Sequence, residues 1–173
     1  VYLHAFTDGR DTPPTSGLGF IKDVEAKMKE YGTGKVASVI GRFWAMDRDK
    51  RWDRVQKAYD CLTGAETVAA VENPEAAFEN YYKHPAQDNM QGDEFIPPTW
   101  VVENGEPIGR VKDGDAVIFF NFRGDRPREM TSAFIDPAFD GFKRRLTPKV
   151  FFCTMTEYKV GLCPNVLFPK PPK

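Results

Sequence analysis

Cysteine and histidine are scarce in this 173-residue chain, and what they lack is pairing. Cys61, Cys153 and Cys163 show no CxxC spacing, and the two histidines, His4 and His84, lie far apart. No disulfide framework and no metal site by spacing can be read from them, which fits structural thiols in a reducing, cytoplasmic setting. Long apolar runs are missing too: none approaches the roughly 20 residues of a membrane-spanning helix. The opening Val1-Tyr2-Leu3-His4 has neither Met nor a basic leader, so the chain is expected to be cut from something longer. Neither sign of charge is in excess. Lys+Arg number 24 against 25 Asp+Glu, a net charge of -1, and a whole-chain footprint for nucleic acid is absent. There is also no GxSxG, no Gly-rich phosphate loop ahead of a lysine and no HExxH, so no nucleophile or catalytic-metal motif is in view.

What remains is the composition of an ordinary globular domain, 41% hydrophobic and 28% charged. Val1 to Phe6 reads as a short buried strand. Thr15 to Tyr31 reads as a helix, with Phe20, Ile21, Val24, Met28 and Tyr31 on one side. Lys35 to Ile40 is a second strand, and the three elements make a βαβ unit with parallel strands. Further helices are expected over Asp49–Thr63, from Asn73-Pro74 to His84, and over Asp125–Ile135. Pro85 to Pro98 reads as an irregular loop. Asn104-Gly105 marks a hairpin between Thr99–Val102 and Pro107–Val111. Ala116 onward is the most apolar strand, expected to be buried, and Val150–Met155 is the last. Trp44, Trp52, Trp100 and His4 are expected in the core. The fold class is α/β: a mixed, largely parallel sheet flanked by helices, with a β-hairpin excursion.

The chemistry lies at three junctions. The first strand ends in Thr7-Asp8-Gly9-Arg10-Asp11. The second ends in Gly41-Arg42, followed by Asp47-Arg48-Asp49. The Ala116 strand ends in Arg123-Gly124-Asp125-Arg126. If those strands are parallel members of one sheet, their carboxyl ends share one edge, where open α/β sheets bind ligands. A single Arg-Asp junction is an ordinary surface ion pair. Three together predict a binding site for an anion, since a guanidinium fork grips carboxylate or phosphate with two parallel hydrogen bonds. Asp8, Asp11, Asp47 and Asp125 are expected to keep the arginines from repelling one another. Gly9, Gly41 and Gly124 are expected to let backbone approach the ligand or adopt positive φ. Arg51 and Arg54, inside a helix, read as a solvated face. Two uses stay open: substrate binding in an enzyme whose nucleophile and metals come from elsewhere, or a non-catalytic module for an anionic metabolite or phospho-ligand.

Three stretches, HAFTDGRDTPP (His4–Pro14), SVIGRFWAMDRDKRWDRV (Ser38–Val55) and FFNFRGDRPRE (Phe119–Glu129), resemble the cofactor-independent (2,3-bisphosphoglycerate-independent) phosphoglycerate mutases. The likeness spans essentially the whole chain. It implies an inserted substrate-binding (phosphotransferase) domain over residues 1–166, lacking its N-terminal part. Residues 167–173 are then a Pro-rich hinge toward an absent phosphatase-like domain, which carries a serine nucleophile and two divalent metals, usually manganese. The implied substrate contacts are Arg10, Asp11, Arg42, Arg48, Arg123 and Arg126, with Asp11 as the proton-transferring group. The family's substrate-contacting histidine, in a GGVHSH segment, and its substrate-contacting lysine lie outside this chain, so His4, Lys170 and Lys173 are not those residues. Phe43-Trp44, where tyrosines are common, and Gly124, where alanine is usual, depart from the family pattern without removing a contact. The Pro85–Gly92 region has no assigned role. The implied reaction interconverts 3-phosphoglycerate and 2-phosphoglycerate in glycolysis and gluconeogenesis. The implied partners are that small substrate and the metal domain of the same chain, in a monomer, with no membrane and no nucleic acid.

Overall fold

The aromatic Tyr2 and Phe6 and the β-branched Thr7 favour an extended backbone in the first strand, β1 (Tyr2–Thr7), and Gly9 at φ +64 turns the chain away from it. In this computed structural model, which describes residues 1–66 and 68–169, helix α1 follows over Gly17–Glu30 and strand β2 over Lys35–Gly41. The pairing of β1 with β2 is parallel, as a right-handed βαβ unit requires. Strand β2 is buried from Val36 to Gly41. Ile40 packs into a cluster with helix α3 (Trp52–Thr63), while Val39 packs with Ile21 of α1 and Phe78 of helix α4 (Pro74–Lys83). A strand covered on both sides reads as the near-continuous apolar run KVASVI.

The first sheet continues through short strand β3 (Ala69–Val71), β4 (Thr99–Glu103) and β5 (Glu106–Pro107), in the order β1-β2-β4-β3 with β5 beside β4. Strand β4 runs antiparallel to β2 and parallel to β3. The Asn104-Gly105 turn has φ of 52° and 81°, the double positive φ of a type I′ hairpin. Asn73 caps α4 by accepting the Ala76 N–H at 3.0 Å, with Pro74 in the first turn. The loop after α4 is not irregular throughout: Asp93–Phe95 forms a 3-10 turn, and Asp93 and Ile96 are buried.

The Ala116 strand departs most from expectation. Strand β6 (Ala116–Phe119) does not join β1 and β2; it pairs in parallel with β7 (Phe151–Thr156), which pairs with β8 (Val166–Phe168), in a separate sheet. Nor is it buried: Ile118 is 59% exposed and Phe120 61%. The reason is positional. Both β1 and β6 are edge strands of their sheets, and both border one groove of about 1320 Å³ whose walls also include α1. Leu167 and Phe168, read from composition as the start of a hinge, belong to β8; Lys170–Lys173 lie outside the described residues. Helix α5 (Pro127–Ile135) seats Met130 and Phe134 against Tyr59 and Phe152, so α3 and α5 bridge the two sheets. Trp100 is buried and donates its indole N–H to the Cys61 carbonyl at 2.7 Å, while Trp44 and Trp52 pack at the margin of that core.

Two stability predictions follow from this packing. A Cβ on Gly41 would fall 2.8 Å from the Ile96 backbone nitrogen, with no flexible atom to yield. Gly41→Ala should therefore cost about 1–3 kcal/mol in urea denaturation. His4 hydrogen-bonds Ser38 Oγ at 2.8 Å and the Gly109 carbonyl at 3.0 Å. Its burial, only partly offset by the Gly109 carbonyl, pushes its pKa down to about 4. Between that value and the unfolded value near 6.5 only the unfolded chain takes up the proton, so stability falls as pH drops through this window. The expected loss is about 2 kcal/mol, allowing for partial exposure of the ring, and His4→Gln should flatten it in thermal melts across pH 4–7.

Candidate anion-binding site

Each junction delivers its arginine by a different local device. Past β1, the Asp8 carboxylate accepts the N–H groups of Arg10 and Asp11, a turn that aims both side chains outward. At the end of β2, Gly41 leads directly into helix α2 (Arg42–Ala45), so Arg42 starts a helix and is only 7% exposed. Past β6, Arg123–Asp125 is an open turn, and Arg126 is the residue that precedes the first turn of α5.

The side chains converge although their strands belong to two sheets. Arg42 pairs with Asp8 and, at 3.0 Å, with Asp11. Asp11 lies 3.7 Å from Arg123, Arg123 lies 2.9 Å from Asp125, and Asp125 lies 2.9 Å from Arg48. The result is one alternating chain of charge, from Arg42 through Asp11, Arg123 and Asp125 to Arg48. Arg10 stands at the exposed rim and pairs with Glu94 at 3.4 Å. Arg126 donates to the Met46 carbonyl at 2.8 Å, and its buried Nε has no partner. Of the five arginines it is the one without a carboxylate partner among the described residues.

Electrostatics follow this pattern. Burial opposes the charge of Asp8, but Arg42 and the backbone N–H groups of Asp11 and Arg10 outweigh it and hold the carboxyl below its usual range. Asp125 behaves alike: Arg48 and Arg123 outweigh its burial. Arg126 is pressed the other way, by burial first and then by the charges of Arg42 and Arg48. Asp125 offsets this only in part, so Arg126 adds a positive charge to the cluster.

Several expectations need correction. Asp47 does not screen the arginine cluster. It is 5% exposed and takes the N–H groups of Asp49 and Arg51, both at 2.9 Å, and the Arg51 guanidinium at 3.1 Å. Arg51 is thus the residue ahead of α3 rather than part of a solvated helical face. Arg54 stacks over the Phe43 ring at 3.7 Å, so it too is more than a solvated residue. Gly9 takes the expected positive φ, +64, whereas Gly41 and Gly124 do not; Gly41 lies close against residues 94–96 and Gly124 against Tyr158. The residues that sequence reasoning missed come from that segment and from α5. They are Glu94, which pairs with Arg10; Asp93, whose carboxylate accepts the Gly17 N–H at the start of α1 and whose carbonyl accepts the Thr7 hydroxyl, both at 2.7 Å; and Glu129, which accepts the Lys50 N–H. The only signal for the first two was an apolar pair, Phe95-Ile96, closing an otherwise polar loop.

Among the described residues no group of three or more His, Cys, Asp or Glu side chains could hold a metal ion. The carboxylates of Asp8, Asp11 and Asp125 are already tied to guanidinium groups, and a dication among these arginines would be repelled. The site does not fit the divalent metals that the resemblance implies for a longer protein. No described helix is long and apolar enough to cross a membrane.

The fold and the cluster define an α/β domain that gathers guanidinium groups at the ends of parallel strands, a class suited to phosphate and carboxylate. Comparison with known proteins makes this specific. Residues 1–160 match the family model described as BPG-independent PGAM N-terminus, and the chain belongs to that family. It is 48% identical over 169 residues to the 2,3-bisphosphoglycerate-independent phosphoglycerate mutase of Clostridium perfringens, covering 97% of this chain and 32% of that protein. It is 45% identical over 180 residues to the corresponding enzyme 2 of Methanosarcina barkeri, covering 98% of this chain and 33% of that one. A crystal structure of Leishmania mexicana phosphoglycerate mutase at low cobalt concentration superposes with a TM-score of 0.89 at 34% identity, covering 99% of this chain and 32% of that one. The chain thus spans about a third of the length of these relatives.

The buried pairing of Arg42 yields a test. Arg42→Met leaves Asp8 and Asp11 without their shared partner, and should cost about 2 kcal/mol at pH 7, less than for a fully buried pair because both carboxylates are partly exposed. The Asp8 pKa is depressed in the folded protein, so its contribution is present above the unfolded pKa and lost as pH falls. The gap between wild type and Arg42→Met in denaturation should accordingly shrink below about pH 4.

Proposed function

We propose that this chain is the substrate-binding, phosphotransferase domain of a phosphoglycerate mutase, an isomerase that interconverts 3-phosphoglycerate and 2-phosphoglycerate in glycolysis and gluconeogenesis. The observation that carries the proposal is Arg126, a half-buried guanidinium with no carboxylate partner among the described residues, pressed by the charges of Arg42 and Arg48. Such a charge is complemented by an anion. A phosphoglycerate offers two, a carboxylate and a phosphate, a few ångströms apart, and Arg10, Arg42, Arg48, Arg123 and Arg126 present forks to both.

In this reading the residues of the chain bind, orient and shuttle a proton. The arginines hold glycerate in place while the phosphoryl group is away, so that the second hydroxyl presents itself without diffusion; positioning of this kind can contribute several kcal/mol. Asp11, held between Arg42 and Arg123 and open to solvent, is placed to take or give a hydroxyl proton. The phosphoserine intermediate, and the two divalent metals, manganese by family resemblance, would be supplied by the remainder of the longer protein. Residues 1–166 then form the binding domain and the tail from 167 its return toward that remainder. Cytoplasmic location, a monomeric state and the absence of nucleic-acid or membrane partners complete the proposal.

Isothermal calorimetry tests it. The chain should bind 3-phosphoglycerate in preference to citrate and to a phosphopeptide, more weakly as salt is raised. Arg126→Ala should weaken binding about tenfold or more, as loss of a charge-assisted pair does. Preference for citrate or the phosphopeptide would favour a non-catalytic binding module instead. With manganese and 3-phosphoglycerate the chain alone should show no turnover, whereas the full-length protein should.

A further inference from the structure

Behind Arg48 lies a second group of acids that the proposed reaction does not use. Asp47 is 5% exposed and Glu129 8%, and between them they take the three successive backbone N–H groups of Asp49, Lys50 and Arg51. Glu129 sits in the first turn of α5. Its Oε1 accepts the Lys50 N–H at 2.9 Å, while its Oε2 is buried with no donor from the protein. Lys50 is held at φ +60, a conformation a lysine adopts only under constraint. On the other side, Asp47 collects the N–H groups of Asp49 and Arg51 and the Arg51 guanidinium.

We propose that Glu129 and Asp47, two buried carboxyl groups that hold the N–H groups of residues 49–51, pin the 46–51 loop to the start of α5, and so fix Arg48 and Arg126 relative to each other. This deepens the reading of the site given above and rests on it. The loop has one anchor already, the bond from Arg126 to the Met46 carbonyl at 2.8 Å. The carboxyl pair supplies the second anchor, four residues further along. Between the two lies Arg48, whose guanidinium reaches Asp125 on the ligand side. One of the arginines of the cluster is thereby set by residues from α5 that never touch the ligand. Glu129 is a positioning residue.

Proton placement follows from the partners. Two neighbouring carboxylates out of water cannot both remain charged without a large penalty. Asp47 already has three donors, so it keeps the charge: Arg51 and the neighbouring N–H groups outweigh its burial and hold its pKa down. Glu129 has one backbone donor and faces the negative charges of Asp47 and Asp49; its burial comes first among the effects that raise its pKa. Glu129 therefore keeps its proton to higher pH than an ordinary glutamate, while Asp47 keeps its charge. Loss of that proton at higher pH would set two charges against each other and release the loop.

The test uses the full-length protein carrying this segment. Glu129→Ala should raise KM for 3-phosphoglycerate about tenfold or more with a smaller change in kcat, since it loosens a binding arginine. Glu129→Gln, which keeps a donor and an acceptor, should rescue most of that loss. As pH rises, KM of the wild type should climb relative to Glu129→Gln, the difference removing the substrate's own titration. Amide exchange at Lys50 and Arg51 gives a readout that needs no substrate: protection should fall in Glu129→Ala and persist in Glu129→Gln. Unchanged protection at Lys50 and Arg51 in Glu129→Ala would overturn the inference, as would identical pH profiles for wild type and Glu129→Gln. A wild-type protein without turnover would instead sink the functional reading, and the exchange experiment would still decide the loop.

Discussion

Like charges in one place are the constraint on which the rest of this structure depends. A site able to grip a small dianion must keep several guanidinium groups close, and they repel when the ligand is away. The chain resolves this with carboxylates threaded between them, so that Arg42, Asp11, Arg123, Asp125 and Arg48 alternate in sign along a continuous path. Each link at the surface is worth little. Their worth lies in geometry: charge-assisted bonds to short aspartate side chains preset the direction of long, flexible arginines, which lowers the entropy a ligand must remove on binding. Arg126 is left out of that path: among the described residues it has no carboxylate partner, and in the proposed function an anion supplies one.

The scaffold matters because no single element could assemble such a path. Arg10 and Arg42 come from adjacent parallel strands of one sheet, Arg48 from a loop ahead of α3, and Arg123 and Arg126 from the turn after β6 in another sheet. What joins these elements is apolar packing of α3 and α5 through Tyr59, Phe134 and Phe152. The arginines at one end and the aromatic core behind them are thus parts of one arrangement, in which non-directional burial places the directional groups.

Much of this was legible in the residues. The parallel β1-α1-β2 unit, the Asn73-Pro74 helix start and the Asn104-Gly105 hairpin all follow from local rules that tertiary packing did not override. Short elements were harder. Ala69–Val71 and Val166–Phe168 are strands of three residues, too brief for a period to show, and they exist because a neighbouring strand offers hydrogen bonds. The apolar AVIF stretch signalled a strand correctly, but not its exposure. Whether an apolar strand is central or at an edge depends on what lies beside it, which its own residues do not encode.

The sequence by itself determined which groups were available: the arginines, their interleaved aspartates, and their delivery just past strand ends. Those are properties of the order of residues along the chain, and turn chemistry reads that order over a few positions. Only the tertiary structure decided that the arginines meet across two sheets rather than along one, that Glu129 takes the Lys50 N–H, and that Glu94 joins from a distant loop. Each of these is a contact between residues far apart in sequence. Such contacts are chosen by how the packed faces of helices and sheets fit together, and no short stretch of the chain carries that information.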